Sequence, residues 1–449
     1  MYNQLLTKIE NNSAVVGVIG LGYVGLPLAV GMAKCGYHVT GVDVSVGRVE
    51  NLNRGISNIP DVPSAELAPL VNDDMLIATT DYDALKTVDV IFICVPTPFD
   101  AMKAPDLTFV RQAATGIAPR LQRGQLIVLQ STTYPGTTEE IVQPILEETG
   151  LKAGEDFFLA FSPERIDPGR KDFTVENTPK VIGGIDSASA ELAGKLLARL
   201  TPSIHLVSSP RAAEMTKLLE NIFRSVNIAL VNELAVLSER MGIDFWEVIE
   251  AAKTKPFGFM PFYPSAGVGG HCIPVDPYYL SWKAREYDFY TRFIELAAEV
   301  NGDMPYHTVQ LISHALNRHG KTLRNAKVLI LGVAFKPDID DARNSPAERV
   351  IELLLKEGAD VFYHDPYAPH FSVGGDVVLK DIVAFDSVPL TPDTLTEADC
   401  CVIITGHRNI DYNWVTTESK LVVDTVNATK NITDTQAKII RLGAPNSVQ

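Results

Sequence analysis

Apolar and polar positions along the chain follow two rhythms. Residues 14–20 (AVVGVIG) form an unbroken apolar run ending in glycine, the mark of a strand buried on both faces. A helix-compatible stretch runs from Tyr23 to Cys35 and stops at Gly36, and a second apolar run, HVTGVD, begins at His38. Strand, turn, helix and strand within about 30 residues form a βαβ unit, which requires a parallel sheet and a right-handed crossover. Further strands are predicted in DVIFICVP (89–96), QLIVLQST (125–132), DFFLAFSPE (156–164) and KVIGG (180–184). Residues 1–205 are therefore expected to form a doubly wound α/β domain.

The rhythm then changes. No glycine or proline occurs in the 31 residues from Arg211 to Met241, which as one helix would be about 45 Å long. Met215, Leu218, Leu219, Ile222, Phe223, Val226, Leu230, Leu234 and Leu237 recur at helical spacing and predict a broad buried face. A helix of that length is expected to join two domains and to pack against a second copy of the chain. Further helices are predicted at 244–254, 277–287, 293–301 and 306–319. From Lys327 a second α/β unit begins, with KVLILGVAF, a loop PDIDDARNS, a helix PAERVIELLLKEG and the strand ADVFYHDP. Gly332 and Asp365 repeat the places of Gly20 and Asp43, a weak internal duplication in which the tight glycine turn has become a longer loop carrying Lys336 and Arg343. Such a loop suits a phosphate held by charge.

Composition narrows the function. With 46% hydrophobic and 21% charged residues the chain is an ordinary globular protein. The balance 39 − 55 = −16 opposes nucleic acid and anionic lipid. No apolar run reaches the roughly 18 residues of a membrane span, and residues 1–13 lack a basic start followed by an apolar core, so a cytosolic enzyme or binding protein is expected. Five cysteines, at 35, 94, 272, 400 and 401, make neither a disulfide framework nor zinc knuckles. Cys94, Cys400 and Cys401 sit in apolar runs and are expected in buried strands; Cys272 alone lies among glycines and polar residues.

The motif Gly20-x-Gly22-x-x-Gly25 gains meaning from its setting between a strand and a helix, with Asp43 closing the next strand 18 residues after Gly25. These are the parts of a Rossmann-like dinucleotide site, in which glycines admit the pyrophosphate, the helix start supplies positive partial charge and the carboxylate accepts the ribose hydroxyls. Asp43 would repel a 2′-phosphate and favours NAD, although Arg48 nearby could accommodate one. The overall expectation is two Rossmann-like doubly wound parallel-sheet domains, 1–205 and 321–449, joined by a central helical domain, 206–320, with one long helix.

Cys272 stands in GVGGHCIPVDP, where the glycines are expected to let backbone approach a ligand and Asp276-Pro277 starts a helix. A thiol near a helix start is activated, while Asp276 pushes the other way. The alternative is a small apolar residue in a glycine loop. His271 beside it has no third partner at zinc-ligand spacing, so no metal is expected. Lys217 and Asn221, four apart, share a helix face and could steady an oxyanion or simply be solvated. Glu164 and Thr132 end apolar strands where α/β ligands sit, or are plain strand-end polar residues.

Taken together, GVIGLGYVGLPLA (17–29), CVPTP (94–98), SPER (162–165), KLLEN (217–221), the loop FGFMPFYPSAGVGGHCIPVDPYYL (257–280) and GVAFKPDIDDARNSP (332–346) resemble the UDP-glucose/GDP-mannose dehydrogenase family. The cysteine motif is most similar to the bacterial N-acetylhexosamine branch. The resemblance implies oxidation of a UDP-sugar C6 alcohol to a uronic acid with two NAD, for surface polysaccharide such as capsule or O-antigen. UDP-N-acetylglucosamine is the first expected substrate, with UDP-N-acetylmannosamine and UDP-glucose as alternatives. It also implies a homodimer.

By resemblance, Cys272 is the nucleophile, Lys217 and Asn221 steady the oxyanion, Asp276 and a water act as base, Glu164 assists thioester hydrolysis and Thr132 positions water. Gly20, Gly22, Tyr23, Val24, Gly25, Asp43, Arg48, Pro96, Thr97, Thr132 and Arg343 would touch NAD. Glu164, Arg165, Lys217, Asn221, Tyr263, Gly267 and Lys336 would touch the sugar nucleotide. Two departures stand out: Pro168 occupies the place of a second glutamate of some relatives, and Ser265-Ala266 replaces their Gly-Pro, which bears on sugar selectivity. Two other classes fit part of the pattern. A two-electron hydroxyacid dehydrogenase has no use for Cys272 or a second α/β domain; an NAD sensor would reduce nothing.

Overall fold

A computed structural model describes residues 1–100, 103–166, 174–433 and 435–445. Pro168 lies outside them. By its internal contacts the chain divides into two compact units, residues 1–220 with 278–290, and residues 221–277 with 291–449.

The first unit holds eight strands, β1 (Val15–Ile19), β2 (His38–Val42), β3 (Leu76–Thr79), β4 (Val90–Ile93), β5 (Leu126–Leu129), β6 (Phe158–Phe161), β7 (Lys180–Gly184) and β8 (Ile204–Val207), in the order β3-β2-β1-β4-β5-β6-β7-β8. β4, β5 and β6 are buried at every position, which explains their continuous apolar runs. The sheet is parallel as far as β6; β7 then runs antiparallel to β6, and β8 follows β7. Sequence patterning missed β3 and β8, edge strands of only four residues each, β8 being half exposed and carrying His205.

In the second unit β9 (Lys327–Leu331), β10 (Asp360–His364), β13 (Cys400–Ile403), β14 (Leu421–Asp424) and β15 (Lys438–Arg441) form a parallel sheet in the order β10-β9-β13-β14-β15. A hairpin of β11 (His370–Val373) and β12 (Val383–Asp386) is added. Cys400 and Cys401 are fully buried in β13, as their apolar run requires.

The long helix is observed as Pro210–Met241. Its expected buried face differs from expectation: Leu218 is buried, but Met215, Leu219, Phe223, Leu230, Leu234 and Leu237 are exposed. Apolar spacing on a helix cannot tell a face covered by its own chain from one left open. The two helices expected at 293–301 and 306–319 are one helix, Arg292–Arg318, running through Gly302 and Pro305. Proline removes one helical hydrogen bond, and core packing of Met304, Val309, Ile312 and Ala315 outweighs that loss. Among the described residues no helix is long and apolar enough to cross a membrane.

Candidate active site

In the first unit the glycine turn follows β1. Gly20 has φ +89°, and a Cβ there would lie 2.5 Å from the Cys94 carbonyl oxygen. At Gly25 a Cβ would lie 1.8 Å from the Gly20 oxygen, so both positions require glycine. A Cβ on Gly22 would meet nothing within 4 Å, which leaves the outer side of the turn open for a phosphate group. Val24 stands at the N-cap of the helix Gly25–Lys34 without a side-chain cap, next to Tyr23, so the helix start keeps N–H groups available. Asp43, buried at the end of β2, accepts from the Leu21 N–H at 2.8 Å and from the Ser45 N–H at 2.9 Å. Arg48 pairs with it at 2.8 Å. This turn suits a dinucleotide: room at Gly22, donors at the helix start and a carboxylate at the ribose end.

The loops after β4 and β5 are tied together. Thr97, beside Pro96, donates its hydroxyl to the Thr132 carbonyl at 2.8 Å, and Ser131 donates to the Val95 carbonyl at 2.7 Å. The Tyr279 hydroxyl donates to the Thr97 carbonyl. Glu164, past β6, takes four donors: Gln130 Nε2 at 3.1 Å and Lys180 Nζ at 2.7 Å on Oε2, and the Arg165 and Ile166 N–H groups at 2.7 and 3.0 Å on Oε1. Burial pushes the Glu164 carboxyl up, but Lys180 and the donated hydrogen bonds outweigh it and hold the group below its ordinary value. Glu164 is thus a fixed negative charge and a weak base. Arg165 is held by Glu220 at 2.5 Å and by the Pro179 carbonyl at 2.9 Å. Lys217 is buried, with no hydrogen-bond or ion-pair partner among the described residues.

In the second unit Asn221 and Asp276 are buried and bonded, Nδ2 donating to Oδ2 at 2.5 Å, and Arg224 donates to the Asn221 Oδ1 at 2.7 Å. Asn221 lies one helical turn beyond Lys217 in the sequence of the long helix. The Cys272 carbonyl accepts from the Val275 and Asp276 N–H groups, at 3.1 and 2.8 Å, so Cys272 sits one turn ahead of the helix Asp276–Ala284. Helix-start partial charge therefore lies close to Cys272.

The glycines before the cysteine do something other than expected. Added Cβ atoms would lie 3.0 Å from Pro346 at Gly267, 2.6 Å from Phe335 Cβ at Gly269 and 3.0 Å from the Phe335 ring at Gly270. They admit the protein's own loop at 335–346. The Gly270 N–H donates to the Arg343 carbonyl at 3.2 Å, and Asn344 donates to the Gly270 carbonyl, also at 3.2 Å, so the cysteine loop is stitched to that segment. Arg343 itself grips Asp341, its closest contact being 2.6 Å, and approaches His271 Nε2 at 3.5 Å. Lys336 has its ammonium 5.9 Å from the Phe335 ring centre. Tyr263 stacks on Trp246 and donates to Glu250 at 3.0 Å. Among the described residues no cluster of histidine, cysteine or acidic side chains is arranged to hold a metal ion.

Sequence reading missed Lys180, Gln130, Arg224 and Tyr279. Lys180 heads an apolar strand, and only its partner, 16 residues earlier, reveals that its charge is buried.

A glycine-turn dinucleotide fold followed by a second parallel sheet and an intervening cysteine loop defines an NAD-dependent nucleotide-sugar dehydrogenase. Three models of one family match in series: the NAD binding domain over residues 14–201, the central domain over 211–303 and the UDP binding domain over 329–431. The chain belongs to the UDP-glucose/GDP-mannose dehydrogenase family. It is 40% identical over 354 residues to UDP-N-acetyl-D-glucosamine 6-dehydrogenase of Pseudomonas aeruginosa, covering 78% of this chain and 82% of the relative. It is 37% identical over 354 residues to UDP-N-acetyl-D-mannosamine dehydrogenase of Pyrococcus horikoshii, covering 78% and 83%. The solved structure of UDP-D-ManNAc dehydrogenase from Pyrococcus horikoshii superposes with a TM-score of 0.86 at 32% identity, covering 96% of this chain and all of that one.

Proposed function

We propose that the chain oxidises the C6 alcohol of UDP-N-acetylglucosamine to the uronic acid by way of a thioester on Cys272. NAD, when bound, accepts a hydride from C6 in each of two oxidations. In the first, Asp276 and a water remove the hydroxyl proton as the aldehyde forms. An aldehyde carries no readily lost second hydride, so the Cys272 thiolate adds to it, giving a thiohemiacetal that the second oxidation converts to a thioester. Lys217 and the Asn221 amide stabilise the oxyanion. Water, placed by the Thr132 loop, then hydrolyses the thioester and frees the thiol. Overall, alcohol, two NAD⁺ and water yield carboxylate, two NADH and three protons.

Glu164 serves the last step as a fixed charge that orients water, not as the proton acceptor, since Lys180 and the donated hydrogen bonds hold its carboxyl below the ordinary value and make it a weak base. The observation that carries this reading is Cys272 one turn ahead of a helix whose first residue, Asp276, is bonded to Asn221. The 40% identical relative named for N-acetylglucosamine supports that sugar, and UDP-N-acetylmannosamine is the second candidate because another relative carries its name. A panel of UDP-sugars at equal concentration, scored for NADH per sugar, tests both: two NADH are expected with UDP-N-acetylglucosamine, and one refutes the thioester route. C272S is expected to lose uronic acid formation by at least about 10³-fold; product at the parent rate refutes it.

The open apolar stripe Leu230, Leu234, Leu237 and Met241 supports a homodimer formed along the long helix. The same reading places the enzyme in the cytoplasm, supplying uronic acid units for capsule or O-antigen.

A further inference from the structure

Glu214 lies in the first turns of the long helix, three residues before Lys217, and is fully buried. Its two oxygens receive three donors from one turn: the Gly136 N–H at 2.6 Å on Oε2, and the Thr138 N–H at 2.9 Å and hydroxyl at 2.7 Å on Oε1. Gly136 has φ +106°, so the turn is one that glycine alone adopts easily. It opens a π-helical turn, Thr138–Val142, a geometry that recurs at functional sites. Thr132 lies four residues before Gly136 on the same loop, anchored at its other side by Thr97.

A serine or asparagine could cap such a turn at less cost than a buried carboxylate. All three contacts are donated to Glu214, a pattern satisfied fully by the ionised form alone. We infer that Glu214 is a positioning residue for hydride transfer: its carboxylate clasps the turn 136–138 and so fixes the Thr132 loop, which is also expected to touch NAD, against the helix bearing Lys217. The inference rests on the dehydrogenase reading above.

The charged groups around it are already matched to one another. Glu139 and Glu140 pair with Arg211, and Glu140 also with Lys283, which Glu286 shares. Burial pushes the Glu214 carboxyl up to about 7 despite the bonds from Thr138 and Gly136, with Glu139 adding to the rise. Protonation as pH falls sets an O–H against an N–H and releases one strand of the clasp.

The test reads the first hydride transfer by rapid mixing of enzyme, NAD and UDP-N-acetylglucosamine across pH. The wild-type rate is expected to fall on the acid side with a midpoint near 7. E214Q, with one acceptor in place of two, is expected to be about tenfold slower at pH 8, to bind NAD within about twofold of wild type and to lack that acid limb. T138V, which removes one donor and keeps the carboxylate, is expected to be about threefold slower with the limb retained. E214Q with the parent rate and the parent acid limb overturns the inference. Should E214Q not accumulate as folded protein, T138V at the parent rate overturns it instead. One NADH per sugar would sink the thioester route and leave this test intact, because only the first transfer is read.

Discussion

Replacing Lys180 by methionine isolates the ion pair beneath Glu164. The lysine side chain is wholly buried, its ammonium 2.7 Å from a carboxylate that is itself nearly enclosed. Methionine preserves most of the stem and removes the charge, leaving an anion supported by Gln130 and two backbone N–H groups. Breaking a buried pair from one side destabilises by about 3–5 kcal/mol, because the remaining charge stays desolvated. Glu164 now has its carboxyl held low, so its contribution is present above the unfolded value and lost as pH falls through the folded one. Without Lys180 burial dominates and the carboxyl moves up. The deficit of K180M should therefore be larger at pH 8 than at pH 5. Urea unfolding monitored by tryptophan fluorescence measures it, with K180M/E164Q as the control that removes both charges and should recover part of the loss. A deficit below about 1 kcal/mol at pH 8, or a double variant no more stable than the single one, refutes the reasoning.

G25A should abolish NAD binding measured by fluorescence quenching, since no adjustment short of moving the Gly20 backbone makes room for its methyl group. G269A presses on Phe335 and is expected to lose about 1–3 kcal/mol in thermal unfolding, together with much of kcat; unchanged values would show the cysteine loop to be loosely seated. Y279F deletes the hydroxyl bonded to the Thr97 carbonyl, for which about 1 kcal/mol, or several-fold in NAD affinity, is expected by titration.

Much of this architecture was legible because strands buried on both faces read as plain apolar runs, as β4, β5 and β13 do. The glycine turn and Asp43 could be read from spacing, since backbone sterics leave few residues able to take those places. Charge inside an apolar element was not legible. Lys180 and Glu214 look like solvated positions until their partners, 16 and 76 residues away, are in view. The glycines before Cys272 were expected to let a ligand approach, and what the structure packs against them is Phe335 and Pro346, residues that no local pattern connects to them.

Asp365 repeats Asp43 in more than position. Its Oδ2 accepts from the N–H groups of Val333 and Ala334, just after Gly332, as Asp43 accepts from Leu21 just after Gly20. The other oxygen accepts the N–H two residues on, from Tyr367 as from Ser45, and there the likeness stops. The Tyr367 and Ala368 N–H groups occupy its other oxygen, and buried His407, whose Nδ1 receives the Asp338 N–H, directs its Nε2 proton at the same carboxylate. Five donors saturate the group and hold its carboxyl at about 2 despite burial. The acid at this place is a keystone in the second half, so converting that half to dinucleotide recognition would demand dismantling the imidazole brace as well as shortening the loop.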